Sequence, residues 1–182
     1  MTVREIVTLP QAILKQKARK VSSFGRDFQT LVDDMVETMR QAPGVGLAAP
    51  QVGESTRLIV IEYGDEENED APRKLYVIAN PVITRTSEET EPGIEGCLSI
   101  PGFQGEVDRY VAVTVRGMNR HGQPMTVRAK GWLARIFQHE IDHLDGILFT
   151  DRAEPGKIWP TTQQQGQVGP AVAEISSRPE RT

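Results

Sequence analysis

The chain has 182 residues, of which 38% are hydrophobic and 25% charged, with a formal net charge of -4 and a pI near 5.5. These proportions fit one soluble globular domain and leave no run approaching the roughly 18 apolar residues of a membrane span. The mild acidic balance lacks the basic footprint expected of a nucleic-acid binder, and a single cysteine excludes an intrachain disulfide. With no long apolar stretch in MTVREIVTLP at the start, the expected location is the cytoplasm.

Val3 to Pro10 is short and apolar and reads as an edge strand or an extended lead-in. Leu14 to Val21 is basic and reads as a short turn or extended stretch. Phe28, Leu31, Val32, Met35, Val36 and Met39 then recur on a 3.6-residue period, which predicts an amphipathic helix stopped by Pro43-Gly44. Gly44 to Gly53 reads as a packed turn. Arg57 to Tyr63, Leu75 to Asn80 and Val82 to Glu89 are expected strands, with an acidic loop over Gly64 to Pro72. Tyr110 to Arg116 and Pro124 to Lys130 are expected to pair as a hairpin around the turn NRHGQ. Trp132 to Leu144 is the second expected helix, closed by Asp145-Gly146.

The expected class is therefore α+β, with mostly antiparallel strands packed around a central helix. Residues 1–152 are expected to form the catalytic domain. Residues 153–182 are expected to be a C-terminal extension, poorly ordered from 161 onward, where the sequence turns low in complexity.

The chemistry gathers on the second helix. His139 and His143 stand at i and i+4 in the run HEIDH. On a helix they share one face at about 5–6 Å, close enough to bind one ion. Glu140, one position on, can reach the activated water as a general base. Leu133, Ile136, Phe137, Ile141 and Leu144 would bury the helix. A catalytic site needs a third protein ligand and an open position. Glu154 is one candidate downstream. Cys97 is the better one, because EGCLS is framed by Pro92-Gly93 and Pro101-Gly102, which hold the backbone in a fixed, non-repetitive shape. In GVGLAAPQ, the small residues allow close backbone approach and Gln51 offers an amide N–H for an oxyanion. Asp142 is expected to tie the helix to an arginine such as Arg109, or simply to be solvated.

GVGLAAPQ at 44–51, EGCLS at 95–99 and HEIDH at 139–143 resemble, in order and spacing, the three motifs of the peptide deformylases, and the opening VREIVTLPQAILKQKARKV is similar to their N-terminus. The resemblance implies hydrolysis of the formyl group from the N-terminal methionine of new polypeptides, with release of formate. It implies Cys97, His139 and His143 as metal ligands. Glu140 is implied as general acid/base, and Gln51 and the backbone N–H of Leu98 as oxyanion donors. Val45, Gly46, Glu95, Trp132, Arg135 and Ile136 fall where the family contacts substrate. The implied cofactor is Fe²⁺, with Zn²⁺, Ni²⁺ or Co²⁺ as substitutes. The implied partners are N-formylmethionyl nascent chains, with transient association at the ribosome.

Overall fold

A computed structural model describes residues 2–64 and 72–161. Most of the expected acidic loop and nearly all of the expected disordered tail lie outside the described residues. The fold is α+β, with two antiparallel sheets and few helices. Helix α1 spans Arg26–Gln41, α2 Gly131–Leu144 and the short α3 Phe149–Arg152. Strands β1 (Gly46–Ala48), β2 (Leu58–Tyr63), β3 (Lys74–Thr86), β6 (Ala112–Met118) and β7 (Pro124–Lys130) form one sheet in the order β1-β2-β3-β6-β7. Strands β4 (Thr90–Gly96), β5 (Phe103–Tyr110) and β8 (Ile158–Pro160) form the second, with β5 in the middle.

The five-stranded sheet is covered on both sides, which explains the unbroken apolar run of β2. Ile59 and Ile61 face a cluster with Ile78, Val115, Ile136, Phe137 and Ile141 beneath α2. Leu58 and Val60 face the opposite way, toward Phe28, Val32, Met35 and Met39 of α1. Side chains alternate along a strand, so a strand buried on both faces reads as continuous hydrophobicity rather than as a period of two. A third cluster joins Cys97, Ile100, Val107, Leu148 and Phe149 under the smaller sheet.

Several boundaries differ from expectation. The two strands expected at 75–80 and 82–89 are one, β3, whose pairing with β6 slips between Ala79 and Val82 and again between Ile83 and Arg85. The bulges absorb Pro81, which has no N–H for a regular ladder. Tyr110 ends β5, and β6 begins at Ala112. The expected packed turn at 44–53 contains the strand β1 and a 3₁₀ turn over Ala49–Val52. Val3 to Thr8 joins no sheet and Leu9-Pro10 turns, with Gln11 N–H closing onto Thr8 O; the segment is held by Val7 N–H to Gln51 O and Leu9 N–H to Ser99 O. Regular structure continues past 152, since β8 pairs with β5 from Phe103↔Pro160 to Gly105↔Ile158.

The far end of α2 is fixed by a group distant in sequence. Arg57 donates to the terminal carbonyl of Leu144 at 3.2 Å and to Asp145 Oδ1 at 2.7 Å. Gly146 then takes φ +74°, a conformation glycine adopts without steric cost, and turns the chain back toward the smaller sheet. Among the described residues no helix is long and apolar enough to cross a membrane.

Candidate metal centre

The second helix carries His139, Glu140 and His143 at an almost wholly buried position, between the two sheets' clusters. Cys97 arrives from the turn after β4, where Ile100 N–H closes onto Cys97 O at 2.9 Å. One ligand atom from each of Cys97, His139 and His143 lies within 4.8 Å of the other two, the grouping the sequence predicts. Cys97 Sγ stands 3.2 Å from His143 Nε2. His139 directs Nδ1 to Glu95 Oε2 at 2.9 Å, while its Nε2 is buried without a hydrogen-bond partner. A buried imidazole nitrogen left open, beside a thiol and a second imidazole, fits a divalent ion with one sulfur and two nitrogen donors. Anchoring of the remote ring nitrogen by a carboxylate is the usual support for such a ligand. Glu154, the other candidate ligand, is exposed and lies 3.7 Å from Lys157.

Glu140 lies against β1. A Cβ placed on Gly46 would sit 2.5 Å from Glu140 Oε1, so only glycine leaves the carboxylate its room. The other oxygen, Oε2, is buried without a partner. Burial pushes the Glu140 carboxyl up to about 7, with the charge of His139 pulling down and that of Glu95 pushing up. Gln51 is held by its own turn: its Oε1 accepts from Ala48 N–H at 2.9 Å, and its Nε2 points at Cys97 Sγ at 3.5 Å. Leu98 is half-buried in the turn directly after Cys97.

These distances put three short segments of the chain, far apart in sequence, around one point. The sequence similarity covers the same ground. Residues 3–159 match the family model for polypeptide deformylase. The chain is 47% identical over 154 residues to a peptide deformylase of Natranaerobius thermophilus, covering 85% of this chain and 94% of that one. It is 46% identical over 181 residues to that of Symbiobacterium thermophilum, covering 99% and 80%. The crystal structure of peptide deformylase from Ehrlichia chaffeensis superposes with a TM-score of 0.79 at 37% identity, covering 85% and 89%. This chain belongs to the polypeptide deformylase family.

As a deformylase it is a metal-dependent hydrolase that removes the N-formyl group from N-formylmethionyl peptides. Helix α2 sits on a buried ionic network. Glu95, fully buried, receives Arg109 as a two-pronged fork, Nε to Oε1 and Nη2 to Oε2, both at 2.9 Å. Arg109 also reaches Asp142 Oδ2 at 2.6 Å, the partnership expected from the sequence, and Arg152 grips the same carboxylate at 2.6 and 2.8 Å. Burial opposes the charge on Glu95, but Arg109 and His139 outweigh it and hold the carboxyl well below its usual range. Arg152 had no signal in the sequence, because it meets Asp142 only through the turn after α2.

The remaining expected substrate-contact residues divide in two. Val45 and Trp132 are half-buried and pack on the same apolar cluster as Ile136. Glu95 and Arg135 are buried and bonded to each other at 3.0 Å. The Arg135 guanidinium also lies 5.5 Å from the Trp132 ring.

Proposed function

We propose that this deformylase works through one divalent ion on Cys97, His139 and His143, with Glu140 as the group that moves the proton. The observation carrying this reading is the buried cluster of three donors with the Glu140 carboxyl beside it. An ion bound there supplies Lewis acidity, bringing the pKa of water down from about 15.7 toward neutrality. A thiolate with two imidazoles suits late first-row divalent ions, and the family resemblance favours Fe²⁺, with Zn²⁺, Ni²⁺ or Co²⁺ able to substitute.

Glu140 accepts the proton as water adds to the formyl carbon, and then delivers it to the departing amine of methionine. A carboxyl lifted toward 7 by burial holds and releases a proton near neutral pH, as a general acid/base must. Gln51 Nε2 and the Leu98 N–H donate to the developing oxyanion. Both stand next to the donor cluster, Gln51 by its contact to Cys97 and Leu98 by its place in the chain. One such donor is typically worth about 10²–10³ in rate. Gly46, without a Cβ, leaves the Glu140 carboxylate its place against β1, and its backbone contacts the substrate. Val45, Trp132 and Ile136 form the apolar wall for the methionine side chain, while Glu95 and Arg135, expected beside them, are taken up by their own buried ion pair.

Residues 1–152 make up the catalytic unit in this reading, and 153–182 an extension. The protein acts in the cytoplasm and meets its nascent substrates in transient association with the ribosome. The deciding experiment is formate release from a formyl-Met-Ala peptide, comparing anaerobically loaded Fe²⁺ protein, metal-stripped protein, and loaded Cys97→Ser and His143→Ala variants. The expected result is release by the loaded wild type alone. Full release by stripped protein, or by both variants, would overturn the assignment.

A further inference from the structure

Arg135 stands one helical turn before His139, on the same face of α2. It is 2% exposed. Its Nη1 donates to Glu95 Oε1 at 3.0 Å and to the Val107 carbonyl at 2.7 Å. Its Nη2 donates to the Glu91 carbonyl at 2.7 Å. Strand β4 passes directly over the guanidinium, and a Cβ on Gly93 would lie 2.6 Å from its Cζ. The charged end is therefore enclosed by β4 and β5 and directed away from open space.

Glu95 is gripped twice by one helix. Its Oε1 takes Arg135 and its Oε2 takes His139, the residues at i and i+4. Two residues further along, the turn that follows the same strand delivers Cys97. Arg135 thus cross-links the helix bearing two of the donors to the strand that leads into the third, and it does so through the carboxylate that orients His139. The Arg109 guanidinium grips the same carboxylate from β5, and its bonds go to side chains, Glu95 and Asp142. Only the planar fork of arginine supplies two nitrogens to three acceptors spread over a side chain and two strands.

We infer that Arg135 is a positioning residue for the metal centre, which fixes His139 against Cys97 through Glu95, rather than a determinant of substrate side-chain selectivity. This rests on the assignment of Cys97, His139 and His143 as ligands. Gly93 belongs to the same device, since any side chain there would displace the guanidinium.

The test measures Zn²⁺ transfer to a chromophoric chelator from loaded wild type, Arg135→Leu, Arg135→Lys and Gly93→Ala. It is read beside the visible spectrum of the Co²⁺-loaded proteins and kcat and KM for formyl-Met and formyl-norleucine peptides. Partners of metal-ligating histidines typically contribute about 10–100-fold in affinity or activity. Arg135→Leu and Gly93→Ala are expected to release Zn²⁺ roughly 10-fold faster or more and to shift the Co²⁺ bands. kcat should fall, while the ratio of the two substrates' KM values stays put. Lysine, a point charge, should rescue only partly. Should Arg135→Leu not fold, Gly93→Ala, which keeps every charge, carries the test alone. Wild-type release rates and spectra in the folded variants, or an altered substrate ratio with unaltered metal retention, would overturn the inference. If wild-type protein holds no ion at Cys97, His139 and His143, the ligand assignment itself fails and this inference with it.

Discussion

Glu140 is a carboxyl from which the fold has removed nearly all water. One oxygen abuts Gly46 and the other has no hydrogen-bond partner. Nothing in this arrangement stabilises the fold, since an unpaired buried carboxylate is costly. A site at odds with local stability marks function more often than packing. Glu140→Gln keeps the shape and removes the proton carrier. Formate release should fall by roughly 10²–10⁴, with metal content per chain unchanged by elemental analysis. The same variant should reveal the strain in metal-stripped protein. Burial raises the folded carboxyl from its usual 4.5 to about 7. Between those values the folded state binds a proton that the unfolded state does not, so stability falls as pH rises through that window. Glu140→Gln should therefore be more stable than stripped wild type above pH 7, by an amount on the order of 3 kcal/mol. The difference should vanish below about pH 4.5. Urea unfolding across that range checks both sign and window, and parallel curves for the two proteins would remove the strain from the account.

The elements differ in how far local sequence specifies them. Helix α1 follows from a clean apolar period, and its start at Arg26 and end at Gln41 lie within two residues of the stripe. Helix α2 follows equally well. The hairpin β4–β5 was not legible, because TEPGIEG carries proline and two glycines and alternates in no simple way. Its shape is dictated instead by what crosses beneath it, the guanidinium of Arg135 under Gly93. The candidate site residues were legible where the chemistry is local, as in HEIDH, or where a rare residue type stands alone, as with Cys97. The Glu95–Arg109–Asp142–Arg152 chain was legible only in its Arg109–Asp142 link, because charges far apart in sequence carry no period.

Helix α1 also anchors the start of the chain. Asp34 accepts from Thr2 N–H at 2.7 Å and from Arg4 Nε at 3.2 Å. The Thr2 bond, aided by Arg4 and against the cost of burial, holds the Asp34 carboxyl below its usual value of 3.8. A lowered folded value contributes stability above the unfolded pKa, which is lost as pH falls through the folded one. Asp34→Asn should cost about 1–3 kcal/mol at neutral pH. The gap to wild type should close on acidification below about pH 4. A gap independent of pH would show that the shape of the side chain matters and its charge does not.

At the scale of the whole molecule, the donor cluster lies where two sheets meet across one helix. The larger sheet brings β1 with Gly46 and its adjoining Gln51, and the smaller brings Glu95 and Cys97. Anything that lets the smaller sheet shift therefore moves one donor relative to the other two. Strand β8 is the outer support of that sheet. It adds backbone pairing to β5. Ile158 packs over Gly105 with Phe149 beside it, and Lys157 pairs with Glu106 at 2.5 Å. Two truncations isolate this support, one removing residues 162–182 and the other 153–182, because their difference is the segment 153–161 alone. The shorter protein should be less stable by about 1 kcal/mol, the scale of a backbone hydrogen bond lost with the β5 pairing. It should also lose Zn²⁺ to a chelator faster than the longer one. Ala153 packs against the cluster that contains Cys97, so a change in metal retention between the two would report movement of Cys97 with its sheet. Equal retention, with stability alone reduced, would mean that α2 and β4 hold the cluster together without help from β8, through the Arg135 and Arg109 grips on Glu95.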